Sequence, residues 1–250
     1  MSDFRIKLIY QTDVPNDVKQ LVEKARKRWL EIVIGGYEPF EEANGTLWDQ
    51  LIVDVSVGVI DHEDLKLAEG GLTKLNPVSL RPLRSKLKLD EFELPDLRKT
   101  PEFLYDVILH EFGHAIGIDK FLWDLHKIYE LQLDGLPVLN GKHCRKEYQS
   151  FTGRAHPINL PLFSDDGALH IDEATFPTEI MSPGISSAGN KLSRLSVAML
   201  ADIGYDVDFE KADEYDAENA WKSKTAPKFI CNHSIHEPEF AIPRSSENSV

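Results

Sequence analysis

DVILHEFGHAIGIDK, residues 106–120, decides how the rest of the chain is read. It sets His110, Glu111 and His114 in an HExxH arrangement inside an apolar run. Just upstream, Thr100-Pro101-Glu102 reads as a helix start: a capping hydroxyl, a proline whose missing N–H costs nothing there, and an acid at the positive end of the helix dipole. Phe103, Leu104, Val107 and Ile108 open an apolar stripe that runs to Ile116, and Gly117 permits a left-handed ending. The pattern predicts a helix of about four to five turns. Residues four apart on it share a face, so His110 and His114 can both reach one metal ion. Glu111 stands beside that face. Zinc lowers the pKa of bound water to about 7, and a carboxylate so placed can take the proton and later hand it to a leaving amine. These residue types at this spacing point to peptide hydrolysis without a covalent intermediate.

A catalytic zinc site uses three protein ligands and an open position. HEFGHAIG begins the longer pattern HExxHxxGxxH, whose third ligand would fall at position 120. That residue is Lys120, which repels a cation, and Asp119 is one place short. Glu130 would serve if it stood on a second helix facing the first, although Gly117 turns the chain away. His126, His143 and His156 lie in polar loop sequence and read as solvated side chains. His170 differs: it leads into a segment where Met181 precedes Ser182-Pro183-Gly184, a turn composition that can fold a thioether back onto earlier parts of the chain. Glu130 and His170 both stand as candidates. Cys231 with His233 and His236, in CNHSIH, lacks a partner ligand group and reads as polar tail.

Outward from the motif, FRIKLIY (4–10) alternates as a strand, and Val18, Leu21, Val22, Ala25, Trp29, Ile32 and Val33 recur at helical spacing up to a stop at Gly35-Gly36. LIVDVSVGVI (51–60) is a β-branched, largely buried strand. Between Ala68 and Leu94 one or two short strands are expected, with turns at Gly70-Gly71 and the prolines and a strand over SKLKLDEFEL. The stretch 118–170 reads as loop with short helices near 121–131 and 146–152. A last helix starts near Ser193 and stops at Gly204; the acidic, then polar tail after Asp206 is expected on the surface.

A chain of 250 residues with 42% hydrophobic content can bury a sizeable core in one domain or two joined lobes. No run of about 18 apolar residues suggests a membrane span, and the N-terminus reads as no secretory signal. The formal charge of −14 disfavours nucleic acid and anionic lipid, and the basic cluster of Lys24, Arg26, Lys27 and Arg28 is too local to reverse that. With 2 cysteines, Cys144 and Cys231, at most one disulfide can form.

HEFGHAIGI, EYQSFTG (147–153), the histidine and methionine of LHIDEATFPTEIMSP, and LSRLSVAMLADIGY (192–205) together resemble leishmanolysin and its bacterial relatives. ARKRWLEIVIGG resembles the first helix of the bacterial members, so the resemblance spans roughly residues 4–206. It implies a zinc metallopeptidase of the metzincin clan with an α+β fold in two lobes. The N-terminal lobe, 1–117, would hold a twisted mixed sheet and two long helices, and the loop- and helix-rich C-terminal lobe, 118–250, would end in a polar tail after about 207. It further implies one catalytic zinc ion on His110, His114 and His170, with Glu111 as general base and then acid. Met181 would form the Met-turn beneath the metal, and Gly117 would turn the chain between lobes. A peptide or protein substrate would lie along the edge strand of the upper sheet. The family's type member carries a signal, a propeptide and many disulfides; none is evident here, so activity as made in a reducing compartment, or export by a leaderless route, is expected. Two rival readings are a non-catalytic zinc-binding protein that recognises peptides and a glutamate-ligand zinc peptidase using Glu130.

Overall fold

The computed structural model describes residues 4–61, 66–164, 169–216, 229–230 and 237–244. The N-terminal pattern becomes strand β1 (Ile6–Tyr10) and helix α1 (Asn16–Ile32), whose Val18, Val22, Ala25, Trp29 and Ile32 form the buried stripe. The helix stops before the glycine pair that was expected to end it. Val33–Gly35 is extended instead and pairs antiparallel with Asp206–Val207, a tertiary contact that no local signal specifies. Gly36 then turns at φ 81°, where a Cβ would lie 2.8 Å from the backbone of residues 204–206.

Strands β2 (Leu51–Val57), β3 (Ala68–Leu75) and β4 (Pro82–Leu89) complete most of a mixed sheet. Its order is β1-β2-β4-β3, with Glu239–Phe240 beyond β3. β1, β2 and β4 run parallel, β3 is antiparallel to β4, and Glu239–Phe240 is parallel to β3 at Lys74 and Leu75. The tail thus returns to the central sheet, burying Ala241, rather than staying on the surface throughout. Leu51, Val53 and Val55 of β2 face the core, while on the opposite face Asp54 pairs with Arg84 and Glu69 with Lys86.

Two expectations for 68–94 need correction. Gly70-Gly71 is not a turn but lies within β3, and the strand predicted through SKLKLDEFEL ends at Leu89. Asp90 ends the ladder because its carboxylate accepts from the N–H groups of Ile60 at 2.6 Å and Phe92 at 2.8 Å, which turns the chain into the short helix α2 (Leu94–Leu97).

Helix α3 (Pro101–Ile116) matches the predicted span. Thr100 supplies no side-chain cap; its hydroxyl donates to the Leu97 carbonyl at 3.3 Å, drawn back by the turn of α2. α3 packs against α1 and the faces of β3 and β4, and the Trp29 indole N–H donates to the Leu109 carbonyl at 2.9 Å to lock the two helices.

Beyond Gly117 the chain forms α4 (Lys120–Leu125), then a hairpin of β5 (Tyr129–Leu131) and β6 (Pro137–Leu139), which β7 (Leu160–Pro161) joins beside β6. The helix expected over 121–131 is therefore cut at Leu125, and Gly135 at φ 83° serves the hairpin. α5 (Lys142–Thr152) is longer than expected because Asp202, the last residue of α6 (Arg194–Asp202), caps its start by accepting from the N–H groups of His143 and Cys144 at 2.8 Å. The Ser193 hydroxyl caps α6, accepting from the Leu195 N–H at 3.1 Å. Cys144 is buried on α5; its pairing with Cys231 and the CNHSIH cluster fall outside the described residues. Among the described residues no helix is long and apolar enough to cross a membrane. The architecture is α+β with a mixed sheet.

The glycine pair in β3 gives a sharp test. A Cβ at Gly70 would lie 1.9 Å from the Glu111 carbonyl oxygen, whereas one at Gly71 would meet only the end of Lys86, at 3.8 Å. Gly70→Ala should destabilise by about 3 kcal/mol or more through forced separation of β3 and α3, and Gly71→Ala by less than about 1 kcal/mol. Urea midpoints of the two variants check this; equal midpoints would contradict the packing.

Candidate metal centre

α3 brings His110 and His114 to one face, and both are buried together with Glu111 and His170. The three histidine Nε2 atoms form a triangle with every edge 3.1 Å. Three nitrogens bound tetrahedrally to one ion at the usual 2.0–2.1 Å would stand about 3.3 Å apart. The spacing fits a shared cation. Among the described residues this is the one group of three or more His, Cys, Asp or Glu side chains so converged.

Hydrogen bonds set the ring tautomers. His110 Nδ1 lies 2.6 Å from the Ile180 carbonyl oxygen and His114 Nδ1 lies 2.7 Å from that of Ile118. A carbonyl only accepts, so each Nδ1 carries the proton and donates it, leaving each Nε2 lone pair aimed into the triangle. Lone pairs converging this closely in a buried site repel one another unless a cation sits among them, and carbonyl-anchored imidazoles are the usual second layer of such a site. The donor set fits a borderline-soft divalent ion.

Gly117 delivers one of those carbonyls. At φ 123° it ends α3 with its N–H on the His114 carbonyl at 3.1 Å, and the following Ile118 N–H returns to Gly113 at 2.9 Å. The same turn points Ile118 C=O back at the His114 ring. Lys120, where the compact motif would have put a ligand, instead starts α4, pairs with Asp124 at 2.6 Å and lies over the Tyr129 ring.

Glu111 is held from the sheet side. Its Oε2 accepts from the Gly70 N–H, so the carboxylate is tied to β3 at the point where that strand touches the helix backbone. Met181 is buried against the other side of α3: a Cβ at Gly113 would lie 2.4 Å from its sulfur. The Met181 carbonyl accepts from the Ile171 N–H at 3.0 Å, which ties the methionine segment to the residue after His170.

Glu130 is not brought to this site. It is exposed on β5, accepting from the Asn140 side-chain amide at 3.1 Å. Exposed His156 and half-buried His126 and His143 stay outside the cluster too; His143 stacks on Phe209. Two groups around the site were missed in the sequence. Gly70 had a usable signal, since a glycine inside an alternating strand marks a close backbone approach. Glu179 is a fully buried carboxylate, and burial pushes it up to about 7 against the pull of the Ser196, Ser193 and Met181 donors. An acid between Thr178 and Ile180 was its only trace in the sequence.

No family model matches the chain, and no curated protein matches it.

Asp106, one turn before His110, is also buried and accepts from the Asn190 N–H at 2.8 Å. Burial pushes its carboxyl up from 3.8 to about 6, with the Asn190 bond opposing. A carboxyl whose folded value is raised favours the native state while protonated in both states, and that advantage is lost as pH climbs from about 4 to about 6. Relative to Asp106→Asn, the wild type should therefore lose on the order of 2 kcal/mol between pH 4 and pH 7. Urea unfolding of both proteins at the two pH values checks this; a constant difference would count against a raised carboxyl.

Proposed function

We propose that the chain is a zinc-dependent endopeptidase of the metzincin type, close to the bacterial leishmanolysin-like proteins. The observation that carries this reading is the 3.1 Å triangle of His110, His114 and His170 Nε2 atoms with Glu111 between the two helical ligands in sequence. His110, His114 and His170 would hold one zinc ion, with Met181 as the Met-turn packed under the helix at Gly113. Zinc, when bound, supplies a Lewis acid and brings water to a pKa of about 7. Glu111 accepts the proton of the attacking water and returns it to the leaving amine, and the Gly70 N–H holds its carboxylate in place between those events. His110 and His114 keep their ligating lone pairs because the Ile180 and Ile118 carbonyls retain the Nδ1 protons.

The substrate reading rests on β3. β4 covers one edge of this strand, and Glu239–Phe240 covers the other edge only at Lys74 and Leu75. Among the described residues Ala68–Thr73 has no strand on that outer edge, and Gly70 sits in the middle of it beside Glu111. An extended peptide adding to this edge would have its scissile bond held near the base by main-chain pairing.

One observation favours a second reading. His110, Glu111 and His170 are wholly buried and His114 is 2% exposed, which suits a closed, non-catalytic metal site in a peptide-recognition protein. Casein cleavage abolished by a chelator and restored by zinc supports the peptidase; zinc binding with no cleavage supports the closed site.

Glu111→Gln should retain zinc and lose hydrolysis by about 10²–10⁴-fold, the span of a general base. Peptidase rates near wild type in that variant would sink the mechanism. His170→Ala should lose stoichiometric zinc while Glu130→Ala keeps it, as metal analysis after dialysis would report; the reverse pattern would restore the glutamate-ligand alternative.

A further inference from the structure

We infer that Glu179 is a positioning residue of the metal site, holding two of the three histidines in register through the backbone of the Ile180-Met181 turn. The inference rests on the metal-binding reading above and adds to it a residue that touches neither metal nor substrate.

The carboxylate is wholly buried, and the donors described around it are neutral. Oε1 accepts from the Ser193 N–H at 3.1 Å, the Ser193 hydroxyl at 2.7 Å and the Ser196 hydroxyl at 2.7 Å, all from the start of α6. Oε2 accepts from the Met181 N–H. One oxygen therefore grips a helix and the other grips the turn. The Glu179 carbonyl closes the same turn, accepting from the Ser182 N–H at 3.1 Å, the Ser182 hydroxyl at 2.7 Å and the Asn190 side-chain amide at 3.1 Å.

Two carbonyls leave that clamped turn in fixed directions. Ile180 C=O receives the Nδ1 proton of His110 at 2.6 Å. Met181 C=O receives the N–H of Ile171, the neighbour of His170, at 3.0 Å. His110 directly, and His170 through its chain neighbour Ile171, are thus tied by a hydrogen bond to a residue one or two along from Glu179. Backbone bonds on the other side tie the turn to Lys191, from the Ile180 N–H to the Lys191 carbonyl and from the Lys191 N–H to the Thr178 carbonyl, both at 2.8 Å, and Thr178 sits at φ 64°, a conformation that a non-glycine residue holds only under constraint. A carboxyl group is buried here at a desolvation penalty, and an apolar residue of similar size would fill the space without it. The return on that penalty is directional: four donors from two segments meet on one carboxyl group.

The bland alternative is that Glu179 merely anchors α6. Glu179→Gln separates the two. The amide oxygen can still serve the three donors of α6, whereas the NH2 group must then face the Met181 N–H and cannot accept from it. The α6 anchor survives, and the turn keeps its backbone bonds but loses the acceptor that fixes the Met181 N–H.

The test uses the full chain, with Co²⁺ as the probe, followed by its visible absorption and by titrated affinity, beside thermal melting of the metal-free protein. Glu179→Gln is expected to bind Co²⁺ about 10–100-fold more weakly, the effect usual for a lost outer partner, with a shifted spectrum. Val22→Ala, a buried core substitution on α1 away from the site, should lower the melting temperature while leaving Co²⁺ affinity and spectrum as in the wild type. Unchanged affinity and spectrum in Glu179→Gln, whatever its melting temperature, would overturn the inference. If that variant does not fold, Glu179→Asp, which keeps the charge but withdraws it by one methylene, is read by the same two outcomes. Absence of tight Co²⁺ binding by the unsubstituted protein would instead overturn the metal reading itself.

Discussion

Helix α3 is buried along almost its whole length, from Phe103 to Ile116, and it carries Asp106, His110, Glu111 and His114 into that burial. Polar side chains without partners in such surroundings cost several kcal/mol each. Every neighbour of the helix is shaped by this demand. β3 yields a glycine so that its backbone can approach and donate to Glu111; the turn after the helix curls back so that Ile118 can accept from His114. The Ile180 segment accepts from His110, and Asn190 donates to Asp106. A shared cation would answer the remaining convergence of the three Nε2 atoms.

The same demand explains why the second half of the chain is irregular without being loosely made. His114 and His170 stand 56 positions apart in the chain, yet the two rings end 3.1 Å apart at Nε2. The excursion is held by caps and side-chain clamps rather than by a long ladder. Asp202 links the start of α5 to the end of α6, and Glu147 pairs with Arg194 at 2.7 Å across the same two helices. Glu179 joins α6 to the methionine turn. Such point contacts leave little periodic trace in a sequence, because each needs only one acid and a few donors at arbitrary separation.

How legible the molecule was in its sequence follows from the range of the forces involved. α1, α3 and α6, with β1 and β2, were readable because apolar spacing and terminal residues act within a few positions. Thr100 misled, since its hydroxyl had a nearer acceptor in Leu97. Gly70-Gly71 misled in a more instructive way: its glycines looked like a turn, and the true reason for Gly70 is a helix backbone that arrives from forty-one residues away. The helix over 121–131 failed because the hairpin and its pairing with Leu160–Pro161 outweighed local propensity at Tyr129–Leu131.

The sequence by itself determined that two imidazoles and a carboxylate share a short stretch of one helix, since that follows from 3.6 residues per turn and nothing else. It also determined that Lys120 could not complete the set, for a cation repels a cation. Only the tertiary structure decided between Glu130 and His170, leaving the first exposed on β5 and closing the second onto the triangle. That choice depends on how some fifty residues fold back, a matter of long-range closure and paired backbone groups, to which local propensity is blind.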